Sequence, residues 1–129
     1  QETNKVESLK RDDAIYLAGL FDGEGCVQFH RRYKAKKKNK KAYNCLTCTL
    51  DIAMTDKKTI EHIRNITGLG SVNKRVKNTS PSSKAHWKDQ YRWHASHRQA
   101  CKVAKSIAPF SVTKQEKLLE IVNHYVNQT

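Results

Sequence analysis

The segment Leu17-Ala18-Gly19-Leu20-Phe21-Asp22-Gly23-Glu24-Gly25 lies near the start of this 129-residue chain. Its apolar residues predict the last turns of a packed helix, and its small residues would let a second backbone approach closely. The segment ends in two acidic residues, each followed by a glycine that can turn the chain out of a helix. A carboxylate at such a packed helix end is unusual, and charges in such places typically bind metal or take part in chemistry.

The composition of the chain predicts one basic domain spanning residues 1–129. Lysine and arginine number 25 against 12 acidic residues, which gives a net charge of +13. A surplus of this size points to a polyanionic partner, most commonly nucleic acid, although a basic ribosomal-type protein would share it. No apolar run approaches the ~20 residues of a membrane span, and residues 1–10 lack the apolar core of a signal peptide. We therefore expect an intracellular protein with no membrane partner.

Hydrophobic periodicity predicts the order helix, two strands, helix, two strands, two helices. The predicted elements are a helix over 10–21, strands around 27–32 and 46–54, a helix from Thr55-Asp56 to Gly68, strands over 71–77 and 90–96, and helices with apolar stripes over 100–107 and 118–125. Alternation in the strands indicates one buried and one polar face. The order predicts an α+β fold, with a four-stranded antiparallel sheet that carries all its helices on one face.

The polar face of this predicted sheet is nearly free of acids, whereas an ordinary solvated face mixes acids with bases. Arginine, lysine, glutamine and asparagine pair with base edges, and a β-ribbon fits the major groove. We therefore predict that this face binds double-stranded DNA. Its residues are Gln28, His30, Arg32, Lys34, Thr47, Thr49, Asp51, Asn73, Arg75, Lys77, Arg92 and His94.

The loop between the first two strands holds eight basic residues in the eleven positions 31–41. Such a run is usually a solvated loop, and it also resembles a nuclear-localisation patch. At the tip of a polar-faced strand it favours contact with phosphates, which adds affinity without sequence information. Lys36, Lys37 and Lys38, with Lys40 and Lys41, are the predicted phosphate contacts.

Four cysteines raise the alternative of a zinc site. Cys45 and Cys48 have an acceptable spacing, but His94 and His97 are closer together than zinc-binding histidine pairs usually are. Cys48 also falls among apolar neighbours in an alternating strand, where it acts as a small buried hydrophobe. We therefore expect neither zinc nor a small-molecule cofactor.

The opening nonapeptide resembles the signature of the LAGLIDADG homing endonucleases, with Leu-Ala-Gly-Leu followed by acid-Gly-acid-Gly at 17–25. The predicted order of elements is also that family's αββαββαα fold. A second segment, PFSVTKQ at 109–115, resembles the Pro-aromatic-x-x-x-Lys-Gln segment that carries the family's catalytic-site lysine. The chain is thus similar to the single-motif, homodimeric members of that family.

The resemblance implies a site-specific DNA endonuclease of intron homing, a hydrolase that cuts both strands of a long target. It places Mg²⁺, with Mn²⁺ or Ca²⁺ as substitutes, on the Glu24 carboxylate and the Gly23 carbonyl. Carboxylate-bound Mg²⁺ suits phosphodiester hydrolysis, and Lys114 would stabilise the transition-state charge. Asp56 has two open roles, as a residue that orders water near the metal or as a helix cap.

The resemblance also implies that the motif helices of two subunits pack together at their small residues. The residues expected at this dimer interface are Leu17, Ala18, Gly19, Phe21 and Asp22. Asp22 is expected mainly to orient the helix end. A symmetric dimer predicts a roughly palindromic target, because operator symmetry mirrors protein symmetry.

Two alternatives remain open at the level of sequence. The first is a protein of the same fold that has lost cleavage and acts as a DNA-binding regulator or an intron RNA maturase. The second is a basic RNA-binding module in which Tyr43, Tyr91 and Trp93 stack on unpaired bases. That module would have no need of a helix that ends in acid-Gly-acid-Gly.

Overall fold

A computed structural model of the chain describes residues 9–75 and 89–126. The elements in order are α1 (Arg11–Glu24), β1 (Gly25–Lys34), β2 (Tyr43–Met54), α2 (Lys57–Thr67), β3 (Ser71–Arg75), β4 (Gln90–Ser96), α3 (His97–Ile107), a 3₁₀ turn (Ala108–Phe110) and α4 (Gln115–Val126). This order confirms the predicted α+β arrangement. Within the described ranges, no helix is long and apolar enough to cross a membrane.

The four strands form one antiparallel sheet in the order β1-β2-β4-β3. The chain therefore places its last strand inside the sheet and β3 at the edge. Trp93 of β4 is fully buried, and its indole N–H donates to the Leu69 carbonyl at 2.9 Å. Because Trp93 is covered, it cannot stack on bases, and this corrects the RNA-stacking alternative at that residue.

The core lies between the sheet and the helices. Apolar side chains at alternate strand positions enter it, as the alternation in the sequence predicts. The buried strand residues are Cys48, Leu50, Ile52, Trp93 and Ala95, and the helices contribute Leu17, Phe21, Ile60, Ile63, Val103, Ile107, Leu118 and Ile121. The opposite face of the sheet carries the predicted polar residues.

Cys45 and Cys48 lie three positions apart on β2 and therefore face opposite sides of the sheet. Cys48 is fully buried on the helix side, and burial raises the pKa of its thiol. His94 lies on the other side, in register with Asp51. The geometry thus separates the residues that a zinc site would need to bring together.

Helix α1 is longer than the sequence predicts. Gly23 stays inside the helix, and the chain leaves it at Gly25, which is extended (φ −87°, ψ 164°) rather than left-handed. A Cβ atom at Gly25 would lie 2.1 Å from Cδ1 of Phe21. Gly25 is therefore required by close approach to Phe21, which corrects the expectation that both glycines turn the chain out of the helix.

Two glycines follow α2 and differ in how closely other atoms approach them. Gly68 and Gly70 both have positive φ (66° and 83°), but a Cβ atom at Gly70 would lie 2.5 Å from Nε1 of Trp93, while Gly68 has nothing within 4 Å. We predict that Gly68→Ala destabilises the fold by about 1–2 kcal/mol, from the left-handed conformation alone. Gly70→Ala adds an overpacking penalty of about 1–3 kcal/mol. Urea unfolding of both variants checks the order, and equal losses would contradict it.

Candidate active site and nucleic-acid interface

The carboxylate of Asp22 joins the end of α1 to the segment before α4. It accepts hydrogen bonds from the Ser111 hydroxyl (2.6 Å), the Val112 backbone N–H (2.9 Å) and the Thr113 hydroxyl (3.2 Å). The Thr113 hydroxyl also lies 3.3 Å from the backbone oxygen of Asp22. Asp22 was expected to orient the helix end and also to lie at a dimer interface. The structure gives it partners within its own subunit.

These contacts change the ionisation of Asp22. Partial burial by itself would raise the pKa of the carboxyl, but the hydrogen bonds from Ser111, Val112 and Thr113 together hold that pKa below its ordinary value of 3.8. A carboxylate that accepts several N–H and O–H bonds is stabilised in its charged form. Asp22 is therefore a fixed negative group near neutral pH.

Ser111 links Asp22 to the backbone of Lys114. Its hydroxyl donates to Asp22 and accepts the backbone N–H of Lys114 at 3.2 Å. The Gln115 amide donates to the Ala108 carbonyl at 2.8 Å, which holds the turn before α4. Lys114 is thereby placed at the start of α4, next to the residues that bind the end of α1. The segment 109–115 and the opening motif lie together at one end of the subunit.

Glu24 is the last residue of α1, and its side chain is exposed. The carboxyl end of a helix is the negative end of its dipole, and α1 has no basic residue in its last turn. Within the described residues, no hydrogen bond or ion pair involves the Glu24 carboxylate. A negative side chain at a negative helix end favours a bound cation.

The atoms at this helix end suit a hard divalent ion. The Glu24 carboxylate and the Gly23 carbonyl are oxygen donors, and carbonyls in a last helical turn lack helical partners. Across residues 9–75 and 89–126, no three His, Cys, Asp or Glu side chains come together as a metal site. Within those residues, the two oxygen donors at the end of α1 could supply only part of a coordination shell.

Asp56 stands at the position just before α2, with a backbone carbonyl 3.4 Å from the Ile60 N–H. Its carboxylate accepts the Thr59 hydroxyl at 2.6 Å and makes no side-chain cap bond to a backbone amide. The side chain is exposed beyond the end of β2. This places Asp56 at the cap position while leaving its carboxylate accessible, so the water-ordering role stays a prediction.

The open face of the sheet collects the predicted DNA-reading residues in register. Gln28 pairs with Thr49, His30 with Thr47, and Asp51 with His94. Asn73 pairs with Arg92 across β3 and β4. Lys34 and Arg75 occupy the register positions opposite Tyr43 and Gln90, and Lys77 lies outside the described residues. Residues on this face that the sequence analysis passed over are Cys26, Cys45, Ser71, Gln90 and Ser96.

The lysine loop is closed by a tight turn. Lys37 and Lys40 exchange two backbone hydrogen bonds, at 3.1 Å and 2.9 Å, around Lys38-Asn39. All five lysines predicted to contact phosphates, Lys36, Lys37, Lys38, Lys40 and Lys41, are exposed. The hairpin tip therefore holds cationic side chains in water at the far end of the sheet from Glu24.

The faces of α1 correct part of the predicted dimer interface. Leu17, Ala18 and Phe21 are fully buried in the core of their own subunit, because they share the helix face that packs on the sheet. They are not available to a second subunit. The exposed side of α1 carries Gly19 with Ile15 and Tyr16, which are 40% and 43% exposed.

The sequence analysis missed the partners of Asp22. Ser111 and Thr113 precede a helix, where hydroxyl side chains commonly accept backbone N–H groups, so the local pattern carried a signal for a cap. The long-range bonds to Asp22 left no such signal, because the partners lie 89 to 91 positions away in the chain.

Comparison with known proteins identifies the family. The sequence matches the family described as LAGLIDADG endonuclease over residues 17–92, which is more than half of the chain. The chain belongs to the LAGLIDADG endonuclease family. A comparison with curated protein sequences found no match.

The fold is shared with LAGLIDADG homing endonucleases of known structure. I-CvuI bound to its target in the presence of Ca has a TM-score of 0.63 and 13% identity, with 88% of this chain and 65% of that chain covered. The archaeal intron-encoded I-Vdi141I complexed with DNA has a TM-score of 0.63 and 19% identity, with 92% and 72% covered. I-TnaI has a TM-score of 0.55 and 21% identity, with 90% and 71% covered. This chain thus spans somewhat less than two thirds of the length of I-CvuI.

The hydrogen bonds to Asp22 predict that the protein becomes less stable at acidic pH. Because the folded pKa is below the unfolded one, the contribution of this carboxylate is fully present above about pH 4 and is lost as pH falls through the folded pKa. We predict that Asp22→Asn lowers the free energy of unfolding at pH 6. The difference in this free energy between the variant and wild type should shrink as the pH falls below 4. Urea unfolding of both proteins across this range measures it. A difference that does not change with pH would contradict this role.

Proposed function

We propose that the chain is a site-specific DNA endonuclease that hydrolyses both strands of a long, roughly palindromic target as a homodimer with divalent metal. The proposal rests on one observation. The two segments that resemble the family, residues 17–25 and 109–115, lie together at one end of the subunit. Asp22 and Ser111 bring Lys114 to the end of α1, where the Glu24 carboxylate has no partner among the described residues. The sheet that faces DNA begins at the next residue, Gly25.

Glu24 and Gly23 would hold the metal ion, for which we propose Mg²⁺ in line with the chemistry of the donors. Bound there, the ion would activate water and neutralise charge on the phosphoryl and leaving oxygens. One I-CvuI complex with DNA was determined in the presence of Ca, and another was determined in the presence of Mg with the DNA not cleaved. These complexes support a divalent cofactor for this chain.

Lys114 would act on the charge that develops at the phosphate. Its backbone N–H is held by the Ser111 hydroxyl, which fixes where the lysine side chain leaves the main chain. A cation that is already in place stabilises a charged transition state without reorganisation. Asp56, exposed beyond β2, would order water at the same end of the sheet, and it would do so while Thr59 fixes one of its oxygens.

The open face would read base edges in the major groove. Strand β1 has ten residues, or about 34 Å of extended chain, which matches about ten base pairs at ~3.4 Å each. Two subunits would then cover about twenty base pairs. The lysines of the hairpin tip would contact phosphates at the outer ends of the target and add affinity that depends on salt.

The exposed face of α1 would pack on the same face of a second copy. Glycine within a helix costs about 1 kcal/mol relative to alanine. At Gly19 and Gly23 a Cβ atom would meet nothing within 4 Å, so close packing inside the subunit does not require either glycine. Ile15 and Tyr16 supply exposed apolar surface beside Gly19. A closely approaching second helix explains both features.

Substitution of Glu24 tests catalysis. Glu24→Gln keeps the size of the side chain but removes the charge that binds the ion, so we expect cleavage to fall by about 100-fold or more while DNA binding persists. The assay follows double-strand cutting of a plasmid that carries the uninterrupted insertion site of the gene, with Mg²⁺ and with EDTA. The control is Glu120→Gln, an exposed acid on α4 that should cut like wild type.

Three outcomes would contradict parts of this proposal. Cleavage by Glu24→Gln at the wild-type rate would remove Glu24 from the site. Tight binding by the wild-type protein without cutting, under Mg²⁺ and Mn²⁺, would support the cleavage-inactive regulator, and preferential binding of intron RNA would support the maturase.

Substitution of Gly19 tests the dimer. Gly19→Leu should fold, because the subunit leaves open space at that position, but it should weaken self-association by at least about tenfold through steric exclusion. Sedimentation over a range of concentrations measures the association. Lys117→Leu, which adds the same side chain to an exposed position of α4, should stay a dimer. A Gly19→Leu variant that sediments as the wild-type dimer would contradict the packing.

A further inference from the structure

The open face contains a cluster of three charged or titratable side chains that the proposed function does not yet explain. One oxygen of Asp51, Oδ1, contacts Nε of Arg92 at 2.8 Å and Nη2 of the same guanidinium at 2.6 Å. The same oxygen contacts Nδ1 of His94. Nη2 of Arg92 lies 2.8 Å from that ring nitrogen as well. Two side chains of β4 therefore contact one carboxylate oxygen of the neighbouring strand β2.

The negative charge of Asp51 is unfavourable on a surface that is proposed to face DNA. Among the described strand residues of the open face it is the one acid, and a negative charge there repels phosphates. Its side chain is 17% exposed, against 46% for Arg92 and 29% for His94. The carboxylate thus lies beneath the guanidinium and the imidazole, which are the more exposed groups. Its main effect is on these two neighbours.

The restraint on Arg92 is directional. Nε and Nη2 are committed to Asp51, and among the described residues no hydrogen bond uses Nη1. A long arginine side chain without such a restraint can swing between base edges and phosphates. Held from one side, the guanidinium presents its remaining donors in one direction, which is what recognition of a base edge requires.

The restraint on His94 concerns the position of its ring. Nδ1 contacts the same carboxylate oxygen of Asp51 and lies 2.8 Å from Nη2 of Arg92, so the imidazole is held beside the guanidinium. Asp51 therefore holds both Arg92 and the His94 ring in one arrangement.

The cluster lies at the catalytic end of the sheet. Asp51 pairs with Cys26 on β1, two residues after Glu24, and with His94 on β4. The lysine hairpin tip is at the opposite end of β1 and β2. A subunit bound as proposed would place this cluster over the base pairs nearest the cleaved phosphates.

We propose that Asp51 is a positioning residue that sets base specificity next to the cleavage site, at the expense of overall affinity for DNA. It does so by holding Arg92 and His94 in one arrangement. The inference rests on the proposed function. The competing explanation is an ordinary surface ion pair, which would contribute little to stability and nothing to specificity.

Selection from a DNA library tests this proposal. The library holds inverted repeats with about ten randomised base pairs per half. Wild type, Asp51→Ala, Asp51→Asn and Glu61→Ala are each selected with Ca²⁺ in place of Mg²⁺, and the bound DNA is sequenced. Glu61→Ala is the control, because it removes one acid from an exposed ion pair with Lys57 on α2, away from the open face. Dissociation constants are then measured on selected and random DNA at fixed salt.

We expect Asp51→Ala to bind random DNA several-fold more tightly than wild type. Its preference at the innermost base pairs of each half should fall by about tenfold, while the preference at outer positions is unchanged. Asp51→Asn, which keeps an acceptor but loses the charge, should lie between wild type and Asp51→Ala and guards against a folding defect. Glu61→Ala should give the wild-type pattern.

The outcomes separate this inference from the proposed function. In one outcome, wild type enriches particular sequences while both Asp51 variants enrich the same bases at every position. That result would overturn the positioning role and leave the endonuclease proposal standing. A loss of preference spread over all positions overturns it too. A wild-type protein that enriches no sequence overturns the proposed function, and the inference with it.

Discussion

The carboxylate of Asp22 is the interaction on which the candidate site depends. It joins the end of the first helix to a segment 89 to 91 positions later, through three short hydrogen bonds. Glu24 follows two residues after it, and Lys114 follows directly after Thr113. Apart from this connection, the first helix also contacts the later segment through the Arg11 guanidinium, which lies over the Phe110 ring. These hydrogen bonds hold the pKa of the Asp22 carboxyl below its ordinary value and so favour its charged form.

Helix α1 serves the core and the surface with different residues of one motif. Leu17, Ala18 and Phe21 fill the core under the sheet, whereas Gly19 and Gly23 meet open space. A helix of 3.6 residues per turn separates these two sets by its geometry alone. The same helix then ends in an acid that pairs with no cation within residues 9–75 and 89–126, so its core face, its exposed face and its end differ in chemistry.

The two ends of the open face of the sheet carry different kinds of side chain. At the hairpin tip, exposed lysines offer charge with little geometric restraint, which suits contact with phosphates. At the end near Glu24, Arg92 and His94 are held against Asp51, and this suits recognition of base edges. Affinity and specificity would thus come from opposite ends of one sheet. Under the proposed function, the most restrained residues would lie nearest to the scissile phosphates.

The sequence by itself determined the α+β order, the polar face of the sheet and the two family segments. These features are local, because alternation in a strand, periodicity in a helix and a short motif are readable from neighbouring residues. Alternation could not decide which side of β4 faces the core, and only the tertiary structure showed that Trp93 is buried. The order of the strands, the partners of Asp22, the hold of Asp51 on Arg92 and the burial of Leu17 within its own subunit were likewise decided by tertiary structure. Each depends on contacts between residues far apart in the chain, whose energies no local pattern records.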